Sequence, residues 1–387
     1  MPGYVLGGGN SLSPAKLAAR YGARWDTSKS RTSLARLFDA ATLNFSPSVG
    51  STLGKSDFDN LPIYKDIKLC NLVNGEVTAY YGDSGFTRTP TVGDVMVEIP
   101  RYYYHIDEDI STLRNYIISD YPLEGYKVSP RHAPHEGNPE GYEKIYVSAY
   151  ELSSGFRSIS GAAPLTAQNR AQVRSGCRSR GTGYHSFDIS TYWTIVLLYI
   201  AEVANWDSQA AIGAGYTGAD SSITIVNTGG ADGVAGHTGR ASGNNTPALN
   251  SVKYRHMENL WGNTDAICDG IIVDSQSIYI CTNPEKYAET TDDYTLLNYQ
   301  AALSNGSIKA LGYDPSVPWA QICIDASGSE GSYIPDQYTM QEDYHAVLIG
   351  GTSTMGESAG LLSMASSHAD YSYPYIGSRL IYLPQEG

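Results

Sequence analysis

One segment constrains the fold of this chain more than any other, "DISTYWTIVLLYIAEVANW" from Asp188 to Trp206. Trp193, Val196, Leu197, Ile200, Val203 and Ala204 recur at helical spacing, and Asp188 or Ser190 stands where an N-cap belongs. A helix this apolar needs cover on its surface, so we expect a central core helix. The cover must come from strands. "TVGDVMVEIPRYYYHI" alternates Val95, Val97 and Ile99 with Met96 and Glu98, and "EKIYVSAYELSS" is of the same kind. "DAICDGIIV" and "SIYIC" predict a hairpin around Asp274, Ser275 and Gln276, while "WAQICI", "YHAVLIGG" and "SRLIYLP" predict further short strands. In "SLARLFDAATL", Leu34, Leu37, Phe38 and Ala41 fall at helical spacing and predict a short helix.

With 40 Gly and 31 Tyr among 387 residues and only 17% charged, the connections are long and turn-rich, so the fold class is α+β. Residues 1–88 are Gly, Ser and Pro rich and are expected to form a small separate module, ahead of a main domain at 89–387.

The formal charge of −14 argues against nucleic acid, whose binding depends on cationic side chains displacing counterions. No stretch approaches the roughly 20 apolar residues of a membrane span, so membrane insertion is not expected. The opening residues lack the basic region and apolar run of a secretory signal, which predicts synthesis in the cytoplasm. Cys70, Cys177, Cys268, Cys281 and Cys323 are an odd number with no CxxC spacing, and we expect buried, reduced thiols.

Local motifs carry little chemistry. The glycines of "GGADGVAGHTG" are followed by no helical pattern, which a phosphate-cradling loop requires. Arg170, Arg174, Arg178 and Arg180 are expected to serve internal ion pairs, and Asp107, Glu108 and Asp109 to form a solvated turn without calcium-loop spacing. His132 and His135 flank Pro134, which disfavours the helix of an HExxH-type zinc site.

Several segments are more specific together. "SDFDNLPIYKDIKLCNLVNGEVTAYYGD", "GDVMVEIPRYYYH", "YWTIVLLYIAEVANWDSQAAIGAG", "ENLWGN" with "CDGI", and "LIGGTSTMGESAGLL" with "IGSRLIYLP" resemble, in the same order, phage and prophage tail proteins. Those proteins carry a C-type-lectin-like domain of the formylglycine-generating-enzyme type. The resemblance runs from about Ser56 to Pro384 and extends to the variable proteins of diversity-generating retroelements, which include phage tropism determinants. It implies a C-type-lectin-like fold with variable residues just before the closing strand. It also implies no catalysis: the two active-site cysteines of the enzyme branch would fall near Met355 and Gly360, and of its "GNVWEW" segment only Gly262 and Asn263 remain.

On this resemblance, the stretch between Ile349–Gly351 and "SRLIYLP" is a long surface excursion pinned by core strands. Tyr and Ser are residues that recognition surfaces favour, and in an extended segment the alternation of Tyr371, Tyr373 and Tyr375 would put three rings on one face. All residues from Ala365 to Ile376 lie within the set reachable by adenine-directed mutagenesis of AAC or AAT codons. The implied function is binding of a host cell-surface protein or glycan at the tip of a phage tail fibre, in the virion. The expected contacts are Thr352, Ser353, Thr354, Ser358, His368, Asp370, Tyr371, Ser372, Tyr373 and Tyr375. The N-terminal module would join other tail proteins, and a homo-trimer would add avidity. No cofactor is implied, although the fold accommodates a structural Ca²⁺. A fixed tail or baseplate component with the same fold is the alternative, and an enzyme with groups of another kind is a third.

Overall fold

The computed structural model describes residues 18–110, 112–220, 224–242, 248–342 and 345–385. Strand takes 35% of it and helix 11%, so the architecture is α+β with sheet predominating. The expected core helix spans Ile189–Val203, and each of its residues is buried. The Asp188 carboxylate accepts the Thr191 N–H at 2.7 Å as N-cap. At the other end Ala204 turns left-handed, and the Arg36 guanidinium donates to the carbonyls of Ala201, Glu202 and Val203. A cation on the last carbonyls also meets the negative end of the helix dipole.

Two antiparallel sheets enclose this helix. The first has the strand order Lys127–Val128, Tyr103–Ile110, Leu113–Ser119, Arg20–Asp26, Ala35–Phe38. The second runs Tyr184–Ser186, Leu380–Tyr382, Lys144–Ser148, Asp94–Pro100, Lys68–Val73, Glu76–Tyr80. Trp25, Tyr64, Tyr102, Trp193 and Trp206 fill the space between, all buried. The closing strand pairs Tyr382 with both Tyr146 and Tyr184, so the end of the described chain lies inside the second sheet. Among the described residues no helix is long and apolar enough to cross a membrane.

Three expectations change. "SLARLFDAATL" is a strand, Ala35–Phe38, followed by turns. Its helical spacing covers too few residues to nucleate a helix alone, and pairing with Tyr21–Arg24 supplies its hydrogen bonds instead. The acidic run at 107–109 belongs to the strand Tyr103–Ile110, with Asp107 accepting from Asn115 at 2.7 Å. The boundary at residue 88 cuts through shared sheets: Lys68–Val73 pairs with Asp94–Pro100, and Arg20–Asp26 with Leu113–Ser119. Residues 18–88 therefore belong to the same core as the remainder.

A third, mixed sheet carries the C-terminal excursion. Its order is Asn305–Ile308, Ile334–Thr339, Met364–Ser367, Ala346–Ile349, Asp265–Cys268, Ile376–Gly377. The excursion is thus divided by a strand. Residues 350–363 lead into Met364–Ser367, and residues 368–375 lead from there to the far edge, where Ile376 pairs in parallel with Asp265. Since Met364–Ser367 and Ile376–Gly377 both run parallel to Asp265–Cys268, the segment 368–375 is a crossover across the sheet, spanning three strand spacings or roughly 14 Å.

Candidate functional site

The crossover is held by its backbone. The Ala167 N–H donates to the Tyr373 carbonyl at 3.0 Å, the Arg170 N–H to that of Ala369 at 3.4 Å, and the Asp265 N–H to that of Tyr375 at 3.1 Å. Internal turns add Tyr371 N–H to His368 and Ile376 N–H to Tyr373. Ala167 and Arg170 lead into the helix Arg170–Arg178, whose start is a reciprocal cap between Asn169 and Gln172. Periodicity does not signal that helix, because its apolar face is narrow, although the Asn169–Gln172 spacing is a legible capping box.

On this frame four aromatic rings form a row. Tyr375 is half-buried and packs on the smaller core cluster that includes Ile267, Leu348 and Ile376. Tyr373 stacks on it, centroids 5.3 Å apart and planes 11° apart. Tyr371 meets Tyr373 edge to face at 5.7 Å, and His368 lies 4.1 Å from Tyr371. Exposure rises from Tyr375 through Tyr373, at 37%, to Tyr371, at 41%, and falls again at the half-buried His368. Burial together with the neighbouring Tyr373 and Asp265 raises the Tyr375 phenol above its ordinary range. The expected gathering of the three tyrosines is thus present, with a different cause: the segment bends and the rings pack on each other in sequence.

His368 also borders a cleft of about 390 Å³, lined by Asn169, Glu289, His345 and Asp370. Glu289 bridges Arg170 and Arg174, the second at 3.0 Å, and Arg174 also holds Asp269 through two 2.8 Å bonds. Arg180 pairs with Asp94 at 2.7 Å, so the arginine cluster does serve internal ion pairs. Asn169, Glu289 and His345 were missed as site residues. Of the cluster's partners, Asp269 and Glu289 lie about a hundred residues downstream and Asp94 well upstream, and nothing local to them signals the cleft.

The ten expected contacts separate. His368, Asp370, Tyr371, Ser372, Tyr373 and Tyr375 come together on the crossover. Thr354 is exposed and Ser358 half-buried on the separate 350–363 loop. Thr352, at 7%, and Ser353, at 0%, are buried, which removes them as contacts in this conformation. The cause is packing of that loop against distant segments: Ser353 donates to the Asn263 carbonyl at 3.1 Å and accepts from Ala219 at 2.8 Å. Buried carboxyls hold the same loop, Asp265 accepting from the Gly351 N–H and Asp336 from the Leu362 N–H. Burial pushes Asp265 up to about 7.

A second cleft, of about 200 Å³, is lined by His135, Tyr142, His185, Asn283 and Glu285. Burial pushes His185 down to about 3, and Arg131 and Arg178 add to this, so the ring is neutral. His132 is wholly buried between Ser129 and the Ile99 carbonyl, apart from this cleft's lining. All five cysteines are buried and unpaired. Among the described residues no group of three or more His, Cys, Asp or Glu side chains is placed to hold a metal ion. The chain matches no protein-family model and no curated protein.

Proposed function

We propose that this chain is a non-enzymatic receptor-binding protein of a phage tail fibre, with a C-type-lectin-like fold of the kind used by variable proteins of diversity-generating retroelements. The crossover 368–375 is its binding surface, and the molecule bound is displayed on a host cell. One observation carries this reading. The crossover is anchored through main-chain hydrogen bonds, whereas the side chains of Tyr371, Ser372 and Tyr373 form no hydrogen bond among the described residues. Main-chain anchors are indifferent to residue type, so this segment tolerates sequence change while the sheet beneath stays fixed. Tyrosine adds large, rigid contact area with few rotors, as recognition surfaces require.

The double variant Tyr371→Ala/Tyr373→Ala tests the reading. Loss of two anchors at a binding centre costs more than about 1.4 kcal/mol, so adsorption to host cells is expected to fall at least tenfold. Both rings are exposed, so the melting temperature should stay within about 2 °C. Unchanged adsorption with lost assembly would point instead to a fixed tail component. Deep sequencing of the codons for Gly350 to Gly377 across a source population tests the diversification directly, since variation should concentrate at codons for 368–375.

A further inference from the structure

We infer that the unit bound at this surface is a neutral or amino sugar, its apolar ring face on Tyr371 and Tyr373 and its hydroxyls in the cleft bordered by His368. This rests on the receptor-binding reading and names the ligand class for the same site. The four rings make a row and not a cage, and the two in its middle, Tyr373 and Tyr371, present partly open surface. The face of an aromatic ring is its negative pole and attracts the weakly positive C–H groups of one side of a pyranose.

The adjoining cleft suits the rest of such a molecule. Its volume of about 390 Å³ falls in the roughly 300–1,000 Å³ range of small-ligand sites, and a largely apolar cleft with a few polar groups, set beside an aromatic platform, is concave where a protein partner wants a broad contact of about 800 Å². The polar lining is rich in acceptors. Glu289 Oε1 accepts one N–H from Arg174 and keeps a further lone pair, its Oε2 accepts two from Arg170, and the Asn169 side-chain oxygen accepts only the Gln172 N–H. Among the described residues Asp370 has neither a hydrogen bond nor an ion pair. Acceptors with spare lone pairs match the many O–H donors of a sugar.

Charge narrows the class. Arg170 and Arg174 are matched by Glu289 and Asp269, no lysine lines the cleft, and Asp370 is left as its uncompensated charge. A uronate, sialate or phosphorylated sugar meets repulsion there, in a chain of net charge −14. An ammonium group is accepted.

The test uses the full chain and three probes: intact host cells, the same cells after periodate oxidation or proteinase treatment, and an array of neutral, amino and acidic oligosaccharides. Adsorption abolished by periodate and kept after proteinase, with array binding confined to neutral or amino sugars and unchanged by EDTA, is the expected result. Tyr373→Phe should bind within about threefold of the parent and Tyr373→Leu at least tenfold more weakly, because the ring face and not the hydroxyl is used. Asp370→Arg should weaken amino sugars most. Adsorption abolished by proteinase overturns the sugar class and leaves the receptor-binding reading standing. Preference for acidic sugars overturns the charge argument, and absence of adsorption to every cell type overturns both readings.

Discussion

Arg379 lies four residues past Tyr375 and only 2% exposed, and its guanidinium donates to the main-chain carbonyls of Ser148, Glu258 and Asn259. Burial lowers its pKa, while Glu151 and Glu258 act the other way. Its planar fork ties the closing strand to two other segments, which an ammonium on a flexible stem cannot reproduce. Arg379→Met should therefore cost at least about 3 kcal/mol in urea denaturation, since three buried carbonyls lose their donor. Tyr373→Ala, six residues earlier, should cost under about 1 kcal/mol. Side chains that hold the fold and side chains that face solvent are thus near neighbours in sequence and separable by experiment.

At the scale of elements, the crossover depends on the helix Arg170–Arg178 beside it. A Cβ on Gly176 would lie 1.9 Å from the Phe156 ring. Alanine ordinarily favours a helix interior by up to about 1 kcal/mol over glycine, but overpacking of about 1–3 kcal/mol outweighs that here. Gly176→Ala should lower the melting temperature and, by displacing the helix whose first residue anchors Ala369, weaken ligand binding too; a more stable variant would show that Phe156 swings away freely. The Ile189–Val203 helix was legible from its apolar spacing and cap, since burial on all sides leaves few alternatives. Ala35–Phe38 was not, because its strand state comes from pairing with Tyr21–Arg24. The Arg170–Arg178 helix was hidden by its charges, whose buried partners Asp269 and Glu289 are distant in sequence.

For the whole molecule, removal of residues 1–88 should abolish folding. It deletes Trp25, Tyr64 and Leu69 from the core and opens the edges of both large sheets. A soluble, cooperatively melting 89–387 fragment would overturn that expectation. Stability should also depend on pH in two opposing ways. Burial raises Asp265 and Glu258 to about 7, so the folded state favours their protonated forms; that contribution is complete below about pH 4 and is lost as pH rises through 7. Burial lowers His132 and His185 to about 3, so their contribution is present above about pH 6.5 and is lost as pH falls toward 3. The two contributions offset one another between about pH 4.5 and 6.5, so stability should be broadly flat there and fall as pH rises through 7. Asp265→Asn keeps the acceptor for Gly351 and removes the charge, so it should shrink the fall in melting temperature between pH 6 and pH 8.

By itself the sequence determined the buried helix, the approximate strands and the tyrosine-rich segment, because each follows from periodicity and composition within one short window. It also carried the arginine cluster's internal role, since so acidic a chain offers many partners. Only the tertiary structure decided which residues face outward. Thr352 and Ser353 read as polar loop residues, and packing against Asn263 and Ala219 buried them. The cleft joins Asn169, Glu289, His345 and Asp370 from four separate stretches. Such a site is set by strand order and crossover direction, which depend on the free energy of the whole core and leave no mark in any local pattern.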